Sequence, residues 1–299
     1  MKLAVCLWEF DPTLEFAEAL ASDSVECVEP GYPFLTAGTP KDVAEGIDTL
    51  RSAGVEVRSA HAPFGDNADL SIADENARSA AVETHFAAVD RAVEAGINAL
   101  VVHPDSRYDL SEEKEIVLSR ALKSIEAVAA YSEKLDGPIL AVENMPPGHP
   151  LAGFDTTLKI AEKLESPKVG ICLDTGHAFL NDEKLDDNIR RAGAKLANIH
   201  MHDNDGAWDK HIQPPYGAHD WRPFAKELRS STIKWPISIE ALPFANGSRN
   251  DMLREVAALL DGRIFSLERG GKTFTCRCPE CSAVVLMGSN GNLECRCRP

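Results

Sequence analysis

The residues best able to do chemistry stand where apolar runs stop. His61 follows such a run in SAHAPF, His103 in LVVHPD, Glu143 in ILAVENMP, Asp174 and His177 in GICLDTGH, His200 in ANIHMHDND, and Glu240 in ISIEA. Three carboxylates and an imidazole, Glu143, Asp174, His200 and Glu240, form a donor set for a divalent Mn, Mg, Zn or Co ion rather than for a thiolate-loving metal. Around them stand His61, His103, His177, Asp209 and His211, the last two forming a D-x-H pair, as contacts for substrate or for additional metal. Any one of these alone reads better as a packing histidine or a solvated acid. Six apolar runs ending the same way need a shared cause. His85, His149 and His219 lack this setting and are expected to be ordinary packing or surface residues.

The cause is an architecture that delivers strand ends to one place. The runs LAVCLWE, VECVEP, EVRSAHAPF, ALVVHPD, ILAVENMP, VGICLDTGH, LANIHMHDND and PISIEAL alternate with amphipathic stretches, of which Glu112 to Lys134 shows the clearest helical spacing. Several strand runs, such as Ala99-Leu100-Val101-Val102, are continuously apolar, as in a parallel sheet covered by helices. The pattern predicts an α/β chain folded as a (β/α)8 TIM barrel, whose strands all end at one rim. A doubly wound open sheet binds ligands at a single switch point and does not account for polar residues at six strand ends.

Composition bounds the rest. A barrel of about 250 residues leaves a short remainder of this 299-residue chain, which is 44% hydrophobic. The formal charge of -16 argues against a broad nucleic-acid surface. No apolar run approaches the roughly 20 residues of a membrane span, and the opening Leu3 to Trp8 run stops at Glu9, too short for a signal peptide. A cytoplasmic protein is expected, with Cys6, Cys27 and Cys172 as small buried hydrophobes of a reducing compartment. Self-association into a homo-oligomer is left open.

Composition shifts after Gly262. Residues 1–262 are read as the barrel and residues 263–299 as a separate cysteine-rich tail, in which Cys276, Cys278, Cys281, Cys295 and Cys297 crowd the chain end. The pattern predicts a hairpin with cysteines at both open ends, each C-x-C pair aiming its sulfurs to one side. Five thiols exceed the four that a structural zinc needs. Cys278-Pro279-Glu280-Cys281 resembles a zinc-ribbon knuckle, and the zinc is expected to be structural because so small a module needs a metal to fold.

ENMP, CLDTGHAFL, and IHMHDNDG followed by D-x-H resemble the xylose-isomerase-like barrel superfamily, which holds sugar-phosphate isomerases and epimerases together with apurinic-site endonucleases of the endonuclease IV type. The resemblance covers about residues 1 to 262. It implies that the pattern at Glu143, Asp174, His200 and Glu240 binds one divalent metal, as in the ketose epimerases, and that the two glutamates also exchange protons with substrate. In the endonuclease branch, the pattern at His61, His103, Glu143, Asp174, His177, His200, Asp209, His211 and Glu240 holds three zinc ions, and all nine positions are filled here. This chain departs from that branch at Leu7-Trp8-Glu9, where the endonucleases carry Gly-Ala-His, and at Tyr216-Gly217-Ala218-His219, where they carry a Gly-Glu-Gly turn. It departs from the epimerases at Gly206 and Ala207, where they carry a substrate-gripping arginine. The expected activity is isomerisation or epimerisation of a small sugar or sugar phosphate through a metal-stabilised enediolate, with Glu143 and Glu240 as the acid/base pair. The alternatives are a trinuclear zinc phosphodiesterase acting at abasic DNA, for which Lys210, Arg222 and Arg249 are the available cations, and a sugar-binding barrel without chemistry.

Overall fold

The computed structural model describes residues 2–299 except 234, 245, 246, 265, 270, 271, 289, 290, 296, 298 and 299. Its centre is a parallel sheet closed on itself. The strands are β1 (Leu3–Leu7), β2 (Cys27–Pro30), β3 (Glu56–Val57), β4 (Ser59–His61), β5 (Ala99–Val102), β6 (Ile139–Glu143), β7 (Val169–Asp174), β8 (Leu196–Met201) and β9 (Ile237–Ile239). β1 pairs with β2 on one side and with β9 on the other. β3 and β4 flank Arg58; one pairs with β2 and the other with β5, so together they make the third staple of an eight-membered ring. Every strand of this ring is parallel to its neighbours, as in a TIM barrel.

The expected helices appear between the strands. They are α1 (Leu14–Ser22), α3 (Pro40–Ser52), α4 (Glu75–Glu94), α5 (Lys114–Lys134), α6 (Phe154–Leu164), α8 (Leu185–Ala192), α9 (Trp221–Ser230) and α10 (Arg249–Leu260), with two short additions, α2 (Tyr32–Thr36) and α7 (Thr175–Leu180), following β2 and β7. Local sequence fixes the ends. Thr39 and Asp42 close a capping box at α3, Ser248 and Asp251 close another at α10, and Asp74 caps α4 through the amide of Ala77. None of the described helices is long and apolar enough to cross a membrane.

The main core lies between the ring and its helices, where Val28, Leu100, Leu140, Ile171 and Ile199 from the strands meet Leu20, Ile47, Ile125 and Phe224 from the helices. A separate apolar cluster of Val101, Ala141, Cys172 and Ala197 lies apart from it. Val101, Ala141 and Cys172 stand two residues before His103, Glu143 and Asp174. Residues two apart share a face of the sheet, so this cluster is the floor beneath those side chains.

Across the ring lies Glu29 of β2, 2% exposed. Its carboxylate accepts from His200 Nε2 at 2.6 Å, Asn198 Nδ2 at 2.7 Å, Ser238 Oγ at 2.9 Å and the hydroxyl of Ser59. Burial pushes this carboxyl up, but His200 and the converging hydrogen bonds outweigh it and hold it below the usual carboxylate range. Strands β4, β8 and β9 are thereby tied to one side chain of β2 by buried polar contacts.

The tail contains two antiparallel hairpins where one was expected: β10 (Ser266–Arg269) with β11 (Lys272–Thr275), and β12 (Leu286–Met287) with β13 (Leu293–Glu294). The second is the one flanked by cysteines. Val284 and Leu286 pack on Ala258 of α10, with Tyr216 and Ile264 at the edge of the contact.

Replacing Glu29 by Ala should lower the unfolding free energy by about 3–5 kcal/mol, because it leaves a buried His200 and three polar partners uncompensated. Chemical denaturation monitored by circular dichroism measures this. A loss below about 1 kcal/mol would show that the network does not hold the ring together.

Candidate metal and substrate site at the barrel rim

Glu143 ends β6 with both oxygens facing imidazoles. Its Oε2 lies 3.1 Å from His103 Nε2 and 3.5 Å from His61 Nε2, and its Oε1 lies 3.3 Å from His200 Nδ1 and 3.6 Å from His177 Nδ1. Glu240, just past β9, approaches the same His200 Nδ1 from the other side at 3.0 Å. His61 is oriented by donating Nδ1–H to the Ala62 carbonyl at 2.8 Å, and its ring packs against Trp8, Phe64 and His103.

Asp174 is fixed by a device that the sequence did not announce. The Asn144 side chain bonds both sides of its peptide, accepting from the Asp174 amide at 2.8 Å and donating to the Asp174 carbonyl at 2.9 Å. This amide clamp locks the end of β6 to the end of β7. Asp174 then caps α7, accepting from the His177 amide at 2.7 Å, while His177 Nδ1 donates to the Asn144 carbonyl at 2.9 Å. The ENMP and LDTGH motifs are therefore one interlocked unit.

The loop after β8 brings in the remaining donors. Asp209 Oδ2 lies 3.1 Å from His177 Nε2 and 3.3 Å from His211 Nε2, and His211 Nδ1 donates to the Glu240 carbonyl at 3.0 Å. Asp203 organises this loop: its carboxylate accepts from the amides of Asn204, Gly217 and His219 and from Trp221 Nε1, and its backbone pairs twice with Ile212 at 2.7 Å. The loop differs in sequence from the hydrolase pattern at Tyr216 to His219, yet it still delivers Asp209 and His211 to the rim.

All nine expected residues are thus brought together, and His202 joins them. His200 and His202 are two apart on the end of β8, but they are engaged differently. His200 sends Nε2 down to Glu29, whereas His202 places Nε2 3.1 Å from both oxygens of Asp174 and stacks its ring on His211 at 4.1 Å. Potential ligand atoms converge here in groups that include His61, Glu143 and His200; Asp174, His177 and His202; and His202, His211 and Glu240. Gly176 makes room for the His202 ring, since a Cβ at that position would stand 1.9 Å from His202 Cε1.

Charge explains the ion pairs. Burial pushes Glu143, Asp209 and Glu240 up, but the imidazoles facing them prevail: Glu143 and Asp209 fall well below the carboxylate range and Glu240 falls to about 2. In return, against the opposing effect of burial, Asp174 and Asp209 raise His177 to about 10, and Asp209 and Glu240 raise His211 to about 9. His103 goes the other way, lowered by burial more than Glu143 raises it. The cluster holds its carboxylates ionised by gathering positive charge, and a divalent cation supplies that charge in a smaller volume. Glu143 Oε2 and Nδ1 of both His200 and His202 are buried without a well-angled hydrogen bond, as atoms awaiting a ligand would be. The donor set, carboxylates and imidazoles without thiolate, fits such an ion.

Above the cluster lies a cavity of about 610 Å³ lined by His61, His103, Glu143, His177, Asp209, His211 and Glu240, with Trp8, Phe64, Tyr108, Met145 and Leu242 as walls. His149 also lines it, contrary to its expected role as an ordinary residue; Asp105 grips its Nδ1, and Tyr108 covers its ring. His85 and His219 do behave as packing residues, both lowered to about 4 by burial. Lys210 at the cavity edge is paired with Asp205, Arg222 with Asp220, and Arg249 faces Asp23 at 4.0 Å.

A family model described as "Xylose isomerase-like TIM barrel" matches residues 14–261 of this chain. An uncharacterised protein of Methanocaldococcus jannaschii is 25% identical over 253 residues, which is 83% of this chain and 84% of that protein. A probable endonuclease 4 of Mesomycoplasma hyopneumoniae is 34% identical over only 86 residues, 28% of this chain and 29% of its own. Among solved structures, D-psicose 3-epimerase with D-tagatose from Clostridium cellulolyticum H10 superposes with a TM-score of 0.72 at 16% identity, covering 88% of this chain and 95% of that one.

Substituting Gly176 by Ala should displace the His202 ring and weaken divalent-metal binding at least tenfold, about 1.4 kcal/mol, while the barrel stays folded. Calorimetric titration with Mn reads the affinity and a thermal melt reads the fold. Unchanged affinity would show that His202 is not a ligand.

Proposed function

The chain belongs to the xylose isomerase-like TIM-barrel family, and on that premise we propose that it is a divalent-metal-dependent epimerase or isomerase of a small sugar or sugar phosphate. The observation that carries this reading is the placement of Glu143 and Glu240. They come from β6 and from the end of β9, which are separated by β7 and β8 around the ring, and flank one imidazole beneath a cavity of monosaccharide size with aromatic walls.

In this reading Glu143, Asp174, His200 and Glu240 hold the ion, His200 through the Nδ1 that lies between the two glutamates while its Nε2 is anchored on Glu29. His202, which faces Asp174 and groups with His211 and Glu240, stands beside them as a further donor. When bound, the ion would draw electron density from a substrate carbonyl and so acidify the neighbouring C–H. Glu143 and Glu240 then divide the proton work: one carboxylate removes the proton from that carbon, and the other returns one from the opposite side. Epimerisation requires this two-sided delivery. His61 and His103 brace Glu143 against its partners. His177 and His211 would turn their Nε2 atoms from Asp209 to substrate hydroxyls, His149 adds its Nε2, and Trp8 and Phe64 offer flat apolar faces to the sugar's C–H side while excluding water.

Phosphodiester cleavage by a zinc cluster remains the second reading, and one observation favours it: donors for three ions stand together. Against it, the cations near the rim already face carboxylates, and the cavity is walled by aromatic and apolar side chains rather than by a basic groove.

Incubated with Mn and a panel of ketohexoses and ketose phosphates in D2O, the protein should interconvert one epimeric pair and place deuterium on the inverted carbon. Glu240→Gln should cut that turnover about 10²–10⁴-fold with little change in fold. A panel-wide lack of exchange, or a fully active Gln variant, would sink the proposal.

Metal stoichiometry separates the two enzymatic readings. Elemental analysis should find one ion beyond the one assigned to the tail cysteines; removing both His61 and His103 side chains should slow turnover yet leave that rim ion bound. Three tightly held zinc ions beyond the tail's, accompanied by incision of abasic DNA, would replace the sugar reading with the hydrolase.

A further inference from the structure

The tail holds a second cluster with different chemistry. Sγ atoms of Cys278, Cys281, Cys295 and Cys297 all lie within 4.8 Å of one another, and Cys297 is 3.3 Å from Cys295 and 3.5 Å from Cys278. All eight cysteines are free thiols, and these separations are far too long for the roughly 2.05 Å of a disulfide. They are close to the edges of a tetrahedron with Zn–S bonds of about 2.3 Å, whose edges are about 3.8 Å. The backbone amides of Cys281 and Glu280 converge on the Cys278 sulfur, as at the turn of a metal knuckle. Cys276 stands outside the group, although the sequence made it as good a candidate as the others. Its carbonyl instead accepts from the Val285 amide at 2.9 Å.

The structure assigns Cys278, Cys281, Cys295 and Cys297, without Cys276, as a tetrathiolate zinc site, and we infer that this site braces the barrel loops that carry Asp209, His211 and Glu240. The strands beside it, β12 and β13, are two residues each, and the apolar contribution is Ala283, Val284 and Leu286. So little burial does not hold a fold without a metal. Zinc would displace the thiol protons to solvent and close the module with no open coordination position, which makes the site structural.

The bracing runs through Tyr216. The Val284 amide donates to its hydroxyl at 3.0 Å, and that hydroxyl donates to Glu255 at 3.0 Å; Glu255 also accepts from Gln213 at 2.7 Å, and the Gln213 carbonyl oxygen accepts from the Phe244 amide at 2.7 Å. The Tyr216 ring stacks on Phe244 at 3.8 Å, and the Arg277 guanidinium lies over it at 4.5 Å. Arg277 immediately precedes Cys278, so the metal knuckle sets the position of this cation. The chain of contacts passes from the tail to the loop after β8 and then to the loop after β9.

Full-length protein reconstituted with Co under reducing conditions tests the ligand set. The intense sulfur-to-cobalt charge-transfer absorption of a tetrathiolate is expected, distinct from the weak bands of a carboxylate–imidazole site. Cys276→Ser should keep it, whereas Cys281→Ser and Cys297→Ser should each change or lose it while the barrel still melts cooperatively. Absence of the absorption in the parent protein, or its loss in Cys276→Ser, overturns the assignment. Amide hydrogen exchange reads the bracing: residues 208–217 should exchange about tenfold faster in Cys281→Ser, and Tyr216→Phe should reproduce that loosening with the cobalt absorption intact. Unchanged exchange in both variants overturns the bracing and leaves the tail as a freestanding module.

Discussion

Carboxylates cannot crowd into a closed cleft unless positive charge stands among them. Glu143, Asp174 and Glu240 are 2%, 0% and 6% exposed, and Asp209 joins them at the rim. Desolvation alone would drive protons onto Glu143, Asp209 and Glu240. Here His177, His200 and His211, each raised by the carboxylates, oppose this, and the whole of the rim can be understood as the means of placing those rings and that of His202. Asn144 fixes Asp174, the α7 cap fixes His177, and Asp203 fixes the loop that presents His211. Gly176 leaves room for His202. A divalent ion fits this frame because it replaces several protons with one compact charge.

The same constraint gives the barrel a vertical order. A floor of Val101, Ala141, Cys172 and Ala197 closes the bottom, the Glu29 network lies across the ring, and the donor cluster sits beneath the cavity. His200 belongs to both upper layers, with Nε2 on Glu29 and Nδ1 between the two glutamates. It transmits the rigidity of the strands to the carboxylates that need it. Displacing a catalytic carboxylate by as little as 1 Å is costly, and an imidazole hydrogen-bonded to a buried carboxylate from below is a stiff reference point.

Strand order and helix positions were legible because both rest on periodicity. The apolar runs are continuous, the helices have capping residues such as Ser248 and Asp74, and each strand ends in a residue too polar for a core. The rim residues at strand ends were legible because an abrupt polar residue after an apolar run is a one-dimensional signal, whereas His177, Asp209 and His211 were singled out by the motifs DTGH and D-x-H. Glu29 was hidden because VECVEP carries a second glutamate, Glu26, and nothing in the run says that residue 29 points inward toward partners as many as 209 residues away. That His202 joins His200 in the cluster was equally hidden, because only the register of β8 against β7, which includes an irregularity at Ile171/Cys172, brings the His202 ring beside Asp174. Asn144 escaped because its work is done on the backbone of a neighbouring strand. In the tail, five cysteines could be counted but not sorted, since turn geometry alone separates Cys276 from the rest.

What distinguishes a sugar enzyme from a nuclease on such a rim is therefore less the donor set than its surroundings. The donors for several ions come together whichever polymer or monomer is the substrate. A phosphodiester in a duplex would bring a line of negative charge to the barrel mouth, and a protein with a net charge of -16 has to answer it with unpaired cations along a groove. The cations at this mouth instead face Asp205, Asp220 and Asp23, while Trp8, Phe64 and Tyr108 close the cavity around a volume suited to one small ring. Aromatic walls gain nothing from a phosphate backbone, but they complement the apolar face of a sugar whose hydroxyls turn toward the histidines. The two glutamates belong to the same surroundings: they reach the cavity from strands separated by β7 and β8 and face one imidazole from two sides.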